Sequence, residues 1–138
     1  MRAADDAQAE LFAYTLARGG PAFVHQHAVD ALCAQQADAR TTPMQLTFAL
    51  VGLCLHVERG YTGRQVQRVH AALAQRRPFT WPAFVLPLSR GAVRAADVVE
   101  APAGPARDAA ISAWCAEIWT TYRDCQGVVL DFLRAHDI

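Results

Sequence analysis

Lysine is missing from the 138 residues, so all 13 basic side chains are arginines. A GC-rich coding bias accounts for that absence without any functional motive. Cys33, Cys54, Cys115 and Cys125 form no CxxC pair and no zinc-finger spacing, which removes the sequence marks of a redox motif or a structural zinc site. No HxxxH, ExxH or HExxH pair occurs either, so no single helix presents two metal ligands on one face by those spacings. The longest apolar run, Leu46 to Val57, is too short to span a bilayer. The opening MRAADDAQAE is acidic and polar where a signal peptide is basic and then apolar. These absences lead us to expect a cytoplasmic protein with reduced cysteines and no membrane span. No internal repeat appears, and no low-complexity tract beyond an alanine bias.

What is present suits one domain, residues 1–138, long enough to bury a core without disulfides or a structural metal. Net charge is zero but unevenly spread: −2 over residues 1–50, +6 over 51–94, where seven arginines face Glu58 alone, and −4 over 95–138. The apolar periodicity is helical. A first helix is predicted from about Asp6 to Arg18, ended by Gly19-Gly20-Pro21, and a second from about Ala22 to Ala37. On the second, His25, Val29, Leu32 and Gln36 are expected on the apolar side, with Phe23, His27 and Asp30 opposite. Thr42 and Pro43 start a third helix that is apolar nearly all round, and Thr62 caps a fourth, GRQVQRVHAALAQ.

Residues 77–104 interrupt the rhythm with Pro78, Pro82, Pro87 and Pro102 and the aromatics Phe79, Trp81 and Phe84. So many apolar groups favour an arm lying across the bundle over a free linker, with a helical turn near Ala95 to Val99. From about Pro105 to Ala135, Ile111, Trp114, Cys115, Ile118, Tyr122, Cys125, Val129 and Phe132 recur at three- and four-residue steps, predicting one long closing helix. On such a helix Cys115 and Cys125 stand about 15 Å apart and cannot bridge. The expected fold is an all-α, single-domain bundle of about five helices with a long proline- and aromatic-containing connector.

Three histidines, His25, His56 and His70, fall on consecutive predicted helices and carry the one suggestive constellation. With Gln36 they would line a polar pocket between helices two, three and four. Were the imidazoles to converge, they could hold zinc or iron in a metal-binding protein or metal-dependent enzyme, since bundle interiors are where helical proteins build such sites. Histidines satisfied by ordinary hydrogen bonds are the blander and preferred account. His27 and Asp30 read as a surface ion pair worth about 0.2–0.5 kcal/mol. Ser89 and Ser112 lie outside any nucleophile-elbow context, and the cysteines read as packing residues.

The basic segment 43–77, with Arg59, Arg64, Arg68, Arg76 and Arg77, loosely suggests a helix-turn-helix, and Thr62, Gly63 and Arg64 suggest an anion site at a helix start. Zero net charge and the apolar third helix argue against nucleic acid as the main partner. An interaction module remains as an alternative, with the arm and the last helix holding a homodimer together.

The stretches AYTLARGGPAFVHQHAVDALCAQQAD and LVGLCLHVERGYTGRQVQRVH, followed by the WPAF arm and a tryptophan-containing last helix, resemble a family of small bacterial helical proteins known only as a domain of unknown function. HVERGYTGRQVQ is the most distinctive part. The resemblance implies no activity. It does imply histidines near 36 and 126, where this chain carries Gln36 and Gln126, which would weaken a metal site.

Overall fold

A computed structural model describes residues 4–76 and 79–138. The acidic opening therefore begins, for structural purposes, at Ala4, and Arg77 and Pro78 at the head of the connector lie outside the described residues. Among the described residues the chain is helical and contains no strand: α1 (Ala4–Ala17), α2 (Val24–Gln36), α3 (Pro43–Arg59), α4 (Gly63–Gln75), α5 (Ala95–Val98), α6 (Pro105–Thr121) and α7 (Gln126–Ala135), with a 3₁₀ turn, Arg123–Cys125, between the last two.

The helix starts written most plainly in the sequence form as reciprocal caps. Thr42 accepts from the Gln45 backbone N–H while the Gln45 side chain accepts from Thr42 N–H, and Thr62 and Gln65 repeat the pattern. Each pair satisfies two amides that have no partner inside the helix. Gly60 ends α3 at φ 69°, a conformation that suits glycine. It lets the chain turn into α4 within three residues.

The expected five helices become seven α-helices among the described residues for two reasons. The turn near Ala95 is a separate short helix, α5, and the long closing helix breaks after Thr121. At the break, Tyr122 is buried and its hydroxyl donates to the Ala34 carbonyl at 2.6 Å. The Gln126 side chain donates to the Trp119 carbonyl at 3.0 Å. A side-chain amide thus satisfies a carbonyl at the end of α6, and α7 packs on α3.

α2 is the hub, touching α1, α3, α4 and α6. Its buried face is built from Ala28, Ala31 and Ala34 with Leu32, His27 and Asp30. Small residues let neighbouring backbones approach closely, and the three alanines rotate α2 away from the orientation its larger apolar residues suggest. His27 and Asp30 therefore lie inside, not in a surface ion pair, and Gln36 is exposed instead of sharing the apolar centreline with His25. α3 supplies nine buried residues, from Leu46 to Leu55, in keeping with its all-round apolarity.

The connector is a docked arm. Trp81 packs edge-on to Phe48 at 5.2 Å between ring centroids and lies 6.1 Å from Phe132, while Phe79 meets His136 at 4.6 Å. Arg90 ties the arm to the end of α2, donating from Nη1 to the carbonyls of Ala34 and Ala37 at 3.1 and 2.9 Å. A cation there also meets the negative end of the helix dipole. In return Gln35 Nε2 donates to the Val93 carbonyl at 2.6 Å.

Candidate functional site

His25, His56 and His70 do not form a common site. His25 Nδ1 lies 2.9 Å from Thr15 Oγ1, and its ring is flanked by the edges of Phe12 and Phe23. The Thr15 hydroxyl already donates to the Phe12 carbonyl, so His25 is the donor in that pair. His70 Nε2 donates to the Phe48 carbonyl at 2.8 Å, tying α4 to α3. His56 is engaged elsewhere, with Tyr61 and Ser112. Among the described residues no three His, Cys, Asp or Glu side chains gather as a group that could hold a metal ion. The three imidazoles expected to hold zinc or iron are thus each engaged with a different partner: three helices meeting in a bundle do not aim their imidazoles at one point unless the phase of each helix does so.

At the anion site expected at Thr62, Gly63 and Arg64, several donors have partners within the chain. Gly63 N–H donates to the Ala22 carbonyl at 2.7 Å, and the Gln65 N–H goes to the Thr62 hydroxyl. The Arg64 guanidinium lies 3.9 Å above the Phe23 ring and donates to Gln67. Gly63 is required here because a Cβ at 63 would overlap the Phe23 carbonyl. Phe23 itself sits in the left-handed region at φ 38° to bring that carbonyl in. Elsewhere in the basic stretch, Arg76 bonds the His136 carbonyl, Arg90 caps α2, and Arg94 donates to Gly91 and Val93. Of the arginines expected to face a nucleic-acid backbone, Arg76 binds a carbonyl of the chain itself and Arg64 stacks on Phe23, while Arg77 lies outside the described residues.

What the fold does assemble is a different constellation at the junction of α2, α3 and α6. The rings of His27 and His56 stack with centroids 3.5 Å apart and planes 20° from parallel. Stacked this closely, the two rings direct their nitrogen lone pairs along parallel planes, not toward a shared ion. His27 is buried, and burial first, then the charge of His56, lowers its pKa to about 3, so the ring is neutral at physiological pH. One turn further along α2, Asp30 is buried too, and burial raises its carboxyl well above the usual range although Gln26 donates to Oδ1 at 3.1 Å. His27 Nδ1 and Asp30 Oδ2 have no hydrogen-bond partner among the described residues. A buried polar group left in that condition costs about 1–3 kcal/mol.

His56 stands at the open side of the stack, half-buried. Its Nδ1 is 3.0 Å from the Tyr61 carbonyl, an acceptor only, which places the proton on Nδ1. In the neutral ring Nε2 therefore presents a lone pair, and 3.2 Å away it meets the hydroxyl of Ser112 on the exposed face of α6. Trp119 Nε1 donates to Glu58 at 2.7 Å, fastening the end of α3 to α6 and holding His56 opposite Ser112.

A family model covers residues 5–123. The chain belongs to DUF5946, a family of unknown function. No curated protein and no solved structure matches it. Gln36 and Gln126, the positions where histidines were expected in relatives, lie apart from the DUF5946 member's stacked histidines: Gln36 borders a surface hollow with Cys33 and Arg40, and Gln126 bonds the end of α6.

The sequence alone does not bring His27, Asp30 and Ser112 together with His56. The His27 and Asp30 spacing of three was visible, but the buried face of α2 is marked by alanines, which carry little hydrophobic signal. Ser112 had no signal at all, because its partner is 56 residues away. The four cysteines are free, three buried and Cys33 half-buried, as their apolar settings suggest. Burial raises every one of these thiols, Cys54 to about 11, which leaves no thiolate to act as a nucleophile near neutrality. No helix among the described residues is long and apolar enough to cross a membrane.

Proposed function

We propose that the protein carries an acid–base centre at the α2, α3 and α6 junction, in which His56 takes up and returns a proton for a small substrate held at the surface. The observation that carries this reading is the pinning of His56 Nδ1–H on the Tyr61 carbonyl, which commits Nε2 to accept a proton on the solvent side. The His27 ring behind it is neutral, so an imidazolium formed at His56 lies against a π face instead of a second positive charge. The two unpartnered atoms beneath the stack support the same reading, because polar groups kept at a stability cost concentrate at functional sites.

The test is hydrolysis of p-nitrophenyl acetate at neutral pH by the intact chain, His56→Asn and, as a control for incidental imidazole catalysis, His136→Asn. His56→Asn should lower the rate by about 10²-fold, the lower end of general-base contributions, while His136→Asn should not. Equal rates for wild type and His56→Asn would refute the centre.

A second reading rests on the outer side of the arm. Val85, Leu88 and Val128 are exposed around an apolar groove of about 400 Å³ that also takes in Phe84, Tyr122 and Cys125. Such a surface suits self-association, as a homodimer or higher assembly. Sedimentation of wild type and Leu88→Glu tests it: a dimer that dissociates in the variant supports it, and a wild-type monomer at high concentration sinks it.

A further inference from the structure

We propose that Ser112 is a nucleophile activated by His56, so that the chain reacts with activated acyl esters through a covalent acyl-serine. This inference rests on the acid–base reading of His56 and gives it a substrate class.

The geometry supplies three of the parts that nucleophilic catalysis by a hydroxyl needs: a reachable hydroxyl, a base within hydrogen-bond distance, and a group that orients the base. Ser112 lies on the exposed face of α6, so an ester carbonyl can approach its Oγ from solvent. His56 Nε2 is 3.2 Å from that Oγ. The orienting group is the Tyr61 carbonyl, 3.0 Å from Nδ1, in the place where a carboxylate stands in a Ser-His-Asp arrangement. The Tyr61 carbonyl is itself held by the turn out of α3, where Tyr61 N–H donates to the Leu55 carbonyl at 3.0 Å and Gly60 N–H to the His56 carbonyl at 3.0 Å. His27 is stacked on one face of the His56 ring and packs it in place.

In the acylation step Ser112 Oγ bonds to the ester carbonyl carbon as its proton passes to His56 Nε2. The bond from that carbon to the leaving oxygen or sulfur then breaks, and the leaving phenolate or thiolate takes the proton from Nε2. In deacylation a water gives a proton to Nε2 and its oxygen bonds to the acyl carbon. Ser112 Oγ leaves and recovers the proton, so the enzyme is restored and one water is consumed.

The substrate class follows from what surrounds the hydroxyl. Ser112 is in the interior of α6, where backbone amides are engaged in the helix ladder, so no pair of backbone N–H groups is free beside it to receive a developing oxyanion. Charge on the carbonyl oxygen is left to solvent. Only esters whose leaving group is already good, such as aryl esters or thioesters, should acylate Ser112, and amides should not.

The experiment uses the full chain with p-nitrophenyl acetate, following the release of p-nitrophenol in the first turnover and locating any acetyl group by peptide mass spectrometry. The expected result is a burst of about one equivalent with acetyl on the peptide containing Ser112. The burst should be lost in Ser112→Ala and in His56→Asn, and an adduct should return in Ser112→Cys. Turnover that depends on His56 but shows no burst, no serine adduct and no change in Ser112→Ala overturns this inference and leaves His56 acting directly on water. Acetyl found on another residue with Ser112 unmodified overturns it as well. Absence of any His56-dependent turnover overturns both readings together.

Discussion

The carboxyl of Asp30 on α2 occupies the space that a side chain at Gly52 on α3 would fill: a Cβ at position 52 overlaps Asp30 Oδ2 and stands 3.2 Å from Val66 Cγ1. One acidic residue is inside the bundle because a glycine faces it. Gly52→Ala should therefore destabilise the protein by about 1–3 kcal/mol, the range for overpacking a filled core. Most of the loss should be recovered when Asp30→Ala is combined with it. Urea unfolding of the two single variants and the double variant measures the coupling, and simple additivity would mean that the two positions do not compete for this space.

The buried pair beneath His56 should give stability an unusual dependence on pH. Asp30 ionises near 3.8 in the unfolded chain and well above that when buried, so its contribution is whole below pH 3.8 and is lost as pH rises through the folded value. His27 ionises near 6.5 unfolded and about 3 folded, so its contribution is whole above pH 6.5 and is lost as pH falls toward 3. Each group acts with a slope of up to about 1.4 kcal/mol per pH unit, and the two slopes have opposite signs. Above 3.8 they offset one another for as long as both groups are titrating. Asp30→Asn should remove the decline on the alkaline side and leave the acid decline in place; His27→Gln should do the reverse. Urea midpoints measured from pH 3 to 8 decide it, and an Asp30→Asn profile parallel to wild type would show that Asp30 is ionised in the folded protein.

Arg90 is the fastening of the arm, and its loss should be felt in two places. Without its guanidinium the carbonyls of Ala34 and Ala37 at the end of α2 lose a charged donor, at about 1.5–3 kcal/mol for a hydrogen bond to an ionised group. The segment from Phe79 to Leu88 should also become an early site of proteolysis in Arg90→Ala. Arg90→Lys should recover only part of the stability, because one ammonium cannot reproduce the planar fork. Wild-type resistance to protease retained in Arg90→Ala would mean that the aromatic contacts alone hold the arm.

The thiols should remain unreactive in the folded state. With every cysteine protonated and three of them buried, a thiol reagent at neutral pH should label Cys33 first and slowly, and all four should react only after unfolding. Rapid labelling of Cys54 or Cys115 in the native protein would contradict the packing of α3 against α6.

Much of this architecture is legible in the residues alone wherever the deciding contact is local. Thr42 with Gln45, and Thr62 with Gln65, are three positions apart, so the starts of α3 and α4 can be read directly. The same is true of the glycine that ends α3, of an arm carrying too many aromatics to float free, and of four cysteines set in apolar stripes. The constellation at the α2, α3 and α6 junction is of another kind. The rotation of α2 depends on three alanines that matter for how near a neighbour can come and hardly at all for hydrophobicity. The break after Thr121 depends on Tyr122 finding the Ala34 carbonyl 88 residues away, and the setting of Ser112 on His56 finding it from another helix. Periodicity along one helix specifies which residues share a face; which face is buried, and what stands opposite, is decided by the close approach of backbones that only the assembled bundle brings together.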